Sequence, residues 1–233
     1  DNYWGKVYLS ELNMVPIPDP TQRLNALLTG QIQCAYNIDY TAAKANAKNS
    51  KVKLVVSTLN GSFVPFYVQE TAPAFKDKRV RQALKLTVDR PAMVRNVFLG
   101  LGAVGNDIPG KGGPSYNASL PQHKYDPEKA KSLLKAAGAE DLQFQLFTSS
   151  ALPGMLESAT AWKEQAKAAG VTIDLQKLPA DSYFSNDKYL KVPAYQSAWG
   201  QFQTWAPQAL FKGASYNETN WNRPAWQAAN TST

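Results

Sequence analysis

Two clusters of rings and amides carry what chemistry this 233-residue sequence offers. Trp199, Gln201, Gln203 and Trp205 fall within Trp199-Gly200-Gln201-Phe202-Gln203-Thr204-Trp205-Ala206-Pro207, and Phe63, Phe66 and Tyr67 stand around Pro65. Flat rings supply apolar area, and neutral amides supply hydrogen bonds without the cost of burying a charge. That is the chemistry of a concave site that holds a small molecule, not of a site that breaks bonds. Rings at strand ends also serve as core, so residue type alone leaves both roles open for the seven side chains.

Catalytic and metal chemistry find little footing. Cys34 is the single cysteine and His123 the single histidine, so no intrachain disulfide, structural zinc site or Cys/His dyad is expected. Cys34 lies in an alternating stretch and reads as a small core residue. No G-x-x-x-x-G-K-[ST] or G-x-S-x-G string occurs, and the glycines from Gly100 to Gly105 follow a helix with the wrong spacing for a dinucleotide loop. Asp107, Asp126, Glu128, Glu140 and Asp141 read as helix caps and solvated charges. The alternative is a hydrolase of unknown type that uses such loop carboxylates as acid and base. No catalytic residue, cofactor or metal is expected.

The 25 Lys and Arg outnumber the 18 Asp and Glu, giving a net charge of +7. The excess is scattered rather than blocked, which argues against a nucleic-acid arm and for a solvated basic face. An apolar fraction of 44% is that of an ordinary folded protein. No run of ~20 apolar residues occurs, so no transmembrane segment is expected in this chain.

The elements that must position the two clusters follow from periodicity and punctuation. Strands are expected at Lys6–Ile17, Gln31–Asn37, Lys51–Thr58, Gly61–Gln69, Leu142–Thr148, Val171–Leu178 and Pro193–Trp199. Helices are expected after the caps Asp19, Asp39, Asp77, Asp89 and Asp126, from Pro153 to Gly170, and briefly at Tyr183–Lys191. Val80, Ala83, Leu84, Thr87 and Val88 form the buried side of the Asp77 helix, with Lys78, Arg79, Arg81 and Lys85 mostly opposite. Gly102 to Lys124 reads as a long surface loop. Lys135-Ala136-Ala137-Gly138 and Lys167-Ala168-Ala169-Gly170 each end a helix before a strand, which argues for α/β layering.

The order of these strings supports a resemblance. FKDKRVRQALKLTVDR (Phe75 to Arg90), a helix ending in LG, YDPEKAKSLLKAAG (Tyr125 to Gly138), DNYWG (Asp1 to Gly5) and LNALLTGQIQCAYNI (Leu24 to Ile38) resemble the extracellular solute-binding proteins of ABC importers, in their peptide- and nickel-binding branch. The resemblance implies an α/β fold, a type II periplasmic-binding-protein-like lobe with a mixed β-sheet flanked by helices. It implies that 58–214 is the distal ligand-binding lobe, that 1–57 is a hinge-proximal segment belonging with the first lobe, and that 215–233 returns toward that lobe. The family's chains are about twice as long, so the sequence is read as a truncated piece whose export signal lay upstream.

The implied function is capture of a peptide or other small polar solute by hinge closure, and delivery to the permease subunits. The implied location is extracytoplasmic, in a periplasm or as a cell-surface lipoprotein of a Gram-positive bacterium, and the implied state is a monomer. In peptide binders of the family an aspartate of the loop after the Trp-ending strand pairs with the ligand's amino terminus. Gln201, Gln203 and Ala206 stand where such a carboxylate is expected, which favours a neutral or differently anchored ligand. The basic side of the Asp77 helix, with Arg79 and Arg81, is a further candidate for docking on the transporter.

Overall fold

The structure is a computed structural model that describes residues 5–56, 63–108, 110–113, 116–185, 190–200, 212–218, 220, 222 and 224. The chain divides into two compact units, Asp1–Lys53 and Leu54–Thr233.

In the first unit, helix α1 (Pro20–Leu28) starts where Asp19 accepts from the Gln22 N–H at 2.7 Å, and α2 (Tyr40–Ala45) where Asp39 accepts from Ala42 at 3.0 Å. Each carboxylate satisfies a first-turn donor that has no partner within the helix. The Arg23 guanidinium gathers the carbonyls of Ile17, Pro18, Tyr36 and Asn37 at 2.7–3.0 Å, tying α1 to the segments around it.

Three expectations fail here. Lys6–Ile17, Gln31–Asn37 and the described part of Lys51–Thr58 form no ladder among the described residues. Val7, Leu9, Leu12, Met14 and Val15 are each at least 60% exposed, and Cys34 is exposed rather than core. Alternating sequence selects an extended backbone with one apolar face, but a strand also needs a hydrogen-bonded neighbour. These segments find none among the described residues.

The second unit is built on a mixed sheet of β1 (Phe66–Val68), β2 (Gln143–Ser149), β3 (Thr172–Leu178) and β4 (Ala194–Gln196), in the order β1-β4-β2-β3. β2 runs parallel to both β3 and β4, while β1 is antiparallel to β4. Helices α3 (Lys78–Leu86), α4 (Arg90–Asn96), α5 (Pro127–Ala136) and α6 (Met155–Ala166) complete it. One sheet face buries Phe144, Leu146, Ile173 and Ala194 against Val80, Ala83 and Leu84 of α3, Ala130 and Leu134 of α5, and Ala159, Trp162 and Ala166 of α6. Trp162 is the centre of that core. Its ring lies 4.5 Å from Phe66 and 5.9 Å from Phe144, and its N–H donates to the Thr87 hydroxyl at 2.8 Å. On the opposite face Gln143, Gln145, Thr172 and Asp174 are exposed, so period two along β2 and β3 separates core from water.

The two KAAG strings do end helices. Gly138 (φ +66) and Gly170 (φ +80) take the left-handed conformation that glycine adopts without steric cost. At Gly170 a Cβ would also stand 3.3 Å from the Glu140 carbonyl oxygen.

The loop from Gly102 to Lys124 is pinned to the helices. The buried Asn106 amide donates to the Leu120 and Pro121 carbonyls at 3.2 Å, and its oxygen accepts from the His123 N–H at 3.0 Å. Asp107 meets Arg90 at 2.5 Å, His123 Nδ1 at 3.2 Å and Lys85 at 3.9 Å. The expected helix at Tyr183–Lys191 is a turn over its described part. The buried Tyr183 hydroxyl donates to the Gln196 carbonyl at 2.6 Å and so draws the backbone onto the sheet.

Candidate functional site

The parallel strands β2 and β4 end on the same side of the sheet, and the chain beyond β4 leads to Trp199. In open α/β sheets ligands bind outside the carboxyl ends of strands. Two further interactions carry the β1–β4 pairing past both strands without a change of register. Phe63 and Trp199 form an antiparallel bridge in which each N–H donates to the other's carbonyl, at 2.9 and 3.1 Å. Between the bridge and the strands stands Pro65, which has no N–H, so its carbonyl alone pairs, accepting from Ser197 at 3.1 Å.

Register then decides which side chains meet. Phe63 opposes Trp199 and Tyr67 opposes Tyr195, so these four share one face. Tyr67 and Tyr195 have ring centroids 5.9 Å apart. Phe66 points to the other face, against Trp162 in the core. Of the seven candidates, Phe63 and Trp199 are therefore paired, Tyr67 lies on the same face four residues along, and Phe66 is on the other face. Gln201, Gln203 and Trp205 lie outside the described residues.

Tyr216 is a member that the sequence did not reveal. Its ring meets Trp199 edge to face at 5.5 Å, near the preferred aromatic geometry. The same segment is fixed where Tyr195 donates to the Glu218 carbonyl at 2.7 Å and the Asn220 amide donates to the Gln69 side-chain oxygen. Nothing in the local sequence around Tyr216 carries a periodic signal that could have found it.

Trp199 is half-buried, and its indole nitrogen, inaccessible to water, has no hydrogen-bond partner among the described residues. The site is thus an aromatic wall, suited to a ligand that brings a planar or apolar surface.

Beneath the wall lies a polar network. Gln196 is fully buried at the end of β4. The Thr148 hydroxyl donates to its side-chain oxygen at 2.5 Å, and its amide donates to the Ser158 hydroxyl at 2.8 Å. Ser158 in turn donates to the Met155 carbonyl at 2.9 Å in the first turn of α6. The Tyr183 hydroxyl bonds the Gln196 backbone, and burial pushes its pKa up, so it stays a neutral donor. The network locks together β2, β4 and α6 three residues before Trp199.

The arginines of α3 are occupied within the molecule. Arg79 pairs with Asp77 at 2.6 Å and donates to the Ala136 carbonyl at 2.5 Å. Its hydrogen bonds hold the Asp77 carboxyl down to about 2. Arg81 donates to the carbonyls of Phe75 and Lys76 at 2.7 and 2.8 Å and stands 3.7 Å from Glu70. The carboxylates of the hydrolase alternative are dispersed. Asp107 is ion-paired, Asp126 caps α5, and Glu128, Glu140 and Asp141 are exposed.

Comparison with known proteins follows this geometry. The family model described as "Bacterial extracellular solute-binding proteins, family 5 Middle" matches residues 1–222. The glutathione-binding protein GsiB of Salmonella typhimurium is 28% identical over 235 aligned residues, which take in 94% of this chain and 45% of that protein. Among solved structures, the oligopeptide-binding protein AppA of Bacillus subtilis, in complex with a nonapeptide, aligns with a TM-score of 0.74 at 24% identity, over 91% of this chain and 46% of that one. NikZ of Campylobacter jejuni, in complex with Ni(L-His), aligns with a TM-score of 0.76 at 21% identity, over 92% and 47%. The chain spans about half the length of the relatives it matches. It belongs to the bacterial extracellular solute-binding proteins of family 5, and its mixed sheet with packed helices is the α/β architecture of a type II periplasmic binding protein.

Proposed function

We propose that the protein is the substrate-binding component of an ABC-type importer, and that the 54–233 unit contributes one wall of its ligand site. The observation that carries this is the meeting of Phe63, Trp199 and Tyr216 at the carboxyl end of β4. Tyr67 extends the wall, and Gln201, Gln203 and Trp205 are its proposed continuation. In this reading residues 58–214 form the distal lobe, 1–57 join a first lobe, and 215–233 lead back toward it after passing β4 at Tyr216 and Glu218. Closure of the two lobes traps the solute, and contacts made only on closure stabilise the closed form that the permease reads. The protein works outside the cytoplasm, in a periplasm or as a surface lipoprotein, as a monomer and without enzymatic activity.

Charge and the relatives support a ligand class. From Lys188 to Asn217 the sequence holds no Asp or Glu, so that stretch offers no carboxylate to a cationic ligand. A short peptide anchored through its carboxylates and carbonyls fits such a surface, and glutathione, the ligand in the GsiB relative's name, is one.

Calorimetry of the 233-residue chain with reduced glutathione tests the division into two walls. A single wall buries too little of a ligand to offset the loss of its free motion, so the expected Kd is weaker than about 100 µM. A micromolar Kd would overturn the two-wall reading.

A further inference from the structure

We propose that the outer face of α3 and α5 is a docking surface for anionic phospholipid headgroups. The two helices pack antiparallel. Arg79 near the start of α3 reaches the Ala136 carbonyl at the end of α5, and the Asp126 N–H before α5 donates to the Leu86 carbonyl at the end of α3. Lys78 and Lys85, two turns apart on α3, are exposed, and so are Lys131 and Lys135, one turn apart on α5. Lys76, Lys124 and Lys129 are exposed beside them. The antiparallel packing makes the two helices neighbours, so these exposed lysines, scattered in sequence, lie on adjacent elements of the unit.

Neutralisation on that side is slight. Asp77 is taken by Arg79, and Asp107 is shared among Arg90, His123 and, at 3.9 Å, Lys85, while Asp126, the cap of α5, remains a carboxylate on that side. Glu128 is the acid exposed on the two helices, and Glu140 and Asp141 lie beyond the end of α5.

The chemistry of the face favours a bilayer over a protein. Protein interfaces are rich in arginine and aromatic anchors and poor in lysine. Here Arg79 and Arg81 are spent on internal carbonyls and carboxylates, and no large apolar side chain is exposed on either helix. What remains is a set of mobile, strongly hydrated ammonium groups. Such a set has no fixed geometry to match, and it is drawn to a fluid layer of negative charge. The face stands apart from the Trp199 wall, so this inference does not depend on the ligand reading.

Vesicle sedimentation of the 233-residue chain tests it. Vesicles of phosphatidylcholine with about 30% phosphatidylglycerol should bind the chain at about 50 mM salt, and at least about tenfold less at 500 mM or without the anionic lipid. Substituting Lys78, Lys85, Lys131 and Lys135 together by glutamine should weaken binding about tenfold. Substituting Lys48, Lys51, Lys53 and Lys191 by glutamine removes the same charge elsewhere and should change it little. Circular dichroism checks that both variants stay folded. The proposal is overturned if anionic vesicles bind no better than neutral ones, or if both quadruple variants lose binding equally. It is also overturned if the chain sediments only with membranes carrying a transporter, since the partner is then a protein.

Discussion

Replacing Trp162 by alanine should lower the unfolding free energy of the larger unit by about 3–5 kcal/mol, the usual cost of emptying a large aromatic site in a core. The residue is 2% exposed and stands where α6 meets the sheet, with Phe66 of β1 and Phe144 of β2 against its ring. Three elements would border the resulting cavity, so local collapse cannot fill it without moving all of them. The loss has a polar part as well. The Thr87 hydroxyl, itself fully buried, accepts the indole N–H and donates to the Leu84 carbonyl. Trp162→Phe separates the contributions, because it keeps most of the ring area and removes the donor. It should cost less than the alanine change and more than about 1 kcal/mol. Denaturant unfolding of the three proteins, followed by circular dichroism, measures both differences. A loss under about 1 kcal/mol for the alanine variant would mean that Trp162 is not the centre of this core.

The second large effect is expected at Gln196. Leucine has nearly its size but cannot bond the two hydroxyls. Gln196→Leu should therefore cost about 2–4 kcal/mol, by orphaning Thr148 and stripping Ser158 of its donor in a site without water access. The comparison that isolates the mechanism adds Thr148→Val and Ser158→Ala to the same chain. Removing all the partners of a buried network is often less harmful than removing one, so the triple variant should recover part of the loss. Additive losses would show that the three side chains do not act as a network. The Gln196→Leu change should also disturb Trp199, which follows three residues beyond the locked end of β4.

How far the sequence could be read depended on whether the needed partners were local. The capped helices were legible, because an aspartate and the first-turn N–H groups it serves lie within three residues of each other, as at Asp77 and Asp126. The strands β2 and β3 were legible for the same reason, since period two shows in each without reference to the other. The failures came where structure depends on a distant partner. Val7 and Leu9 alternate as a strand should, but no strand pairs with them among the described residues. Phe66 and Tyr67 are adjacent in sequence and alike in type, and only the register of β1 against β4 sends one to the core and the other to the Tyr195 side. Tyr216 joins Trp199 across 17 residues through a contact that no local pattern announces. The lysines of α3 and α5 looked scattered because the packing that makes the two helices neighbours is tertiary.

The central claim is that Trp199 stands on the wall of a ligand site. The most direct measurement is the indole N–H resonance of Trp199 in the nitrogen-15 NMR spectrum of the 233-residue chain, assigned with a Trp199→Phe variant. It should be followed through the same tripeptide titration as the calorimetry. The expected result is a saturable shift of that resonance in the millimolar range, with the buried Trp162 indole unmoved. A Trp199 resonance that stays fixed while peaks elsewhere move, or a titration in which nothing moves, would contradict the account.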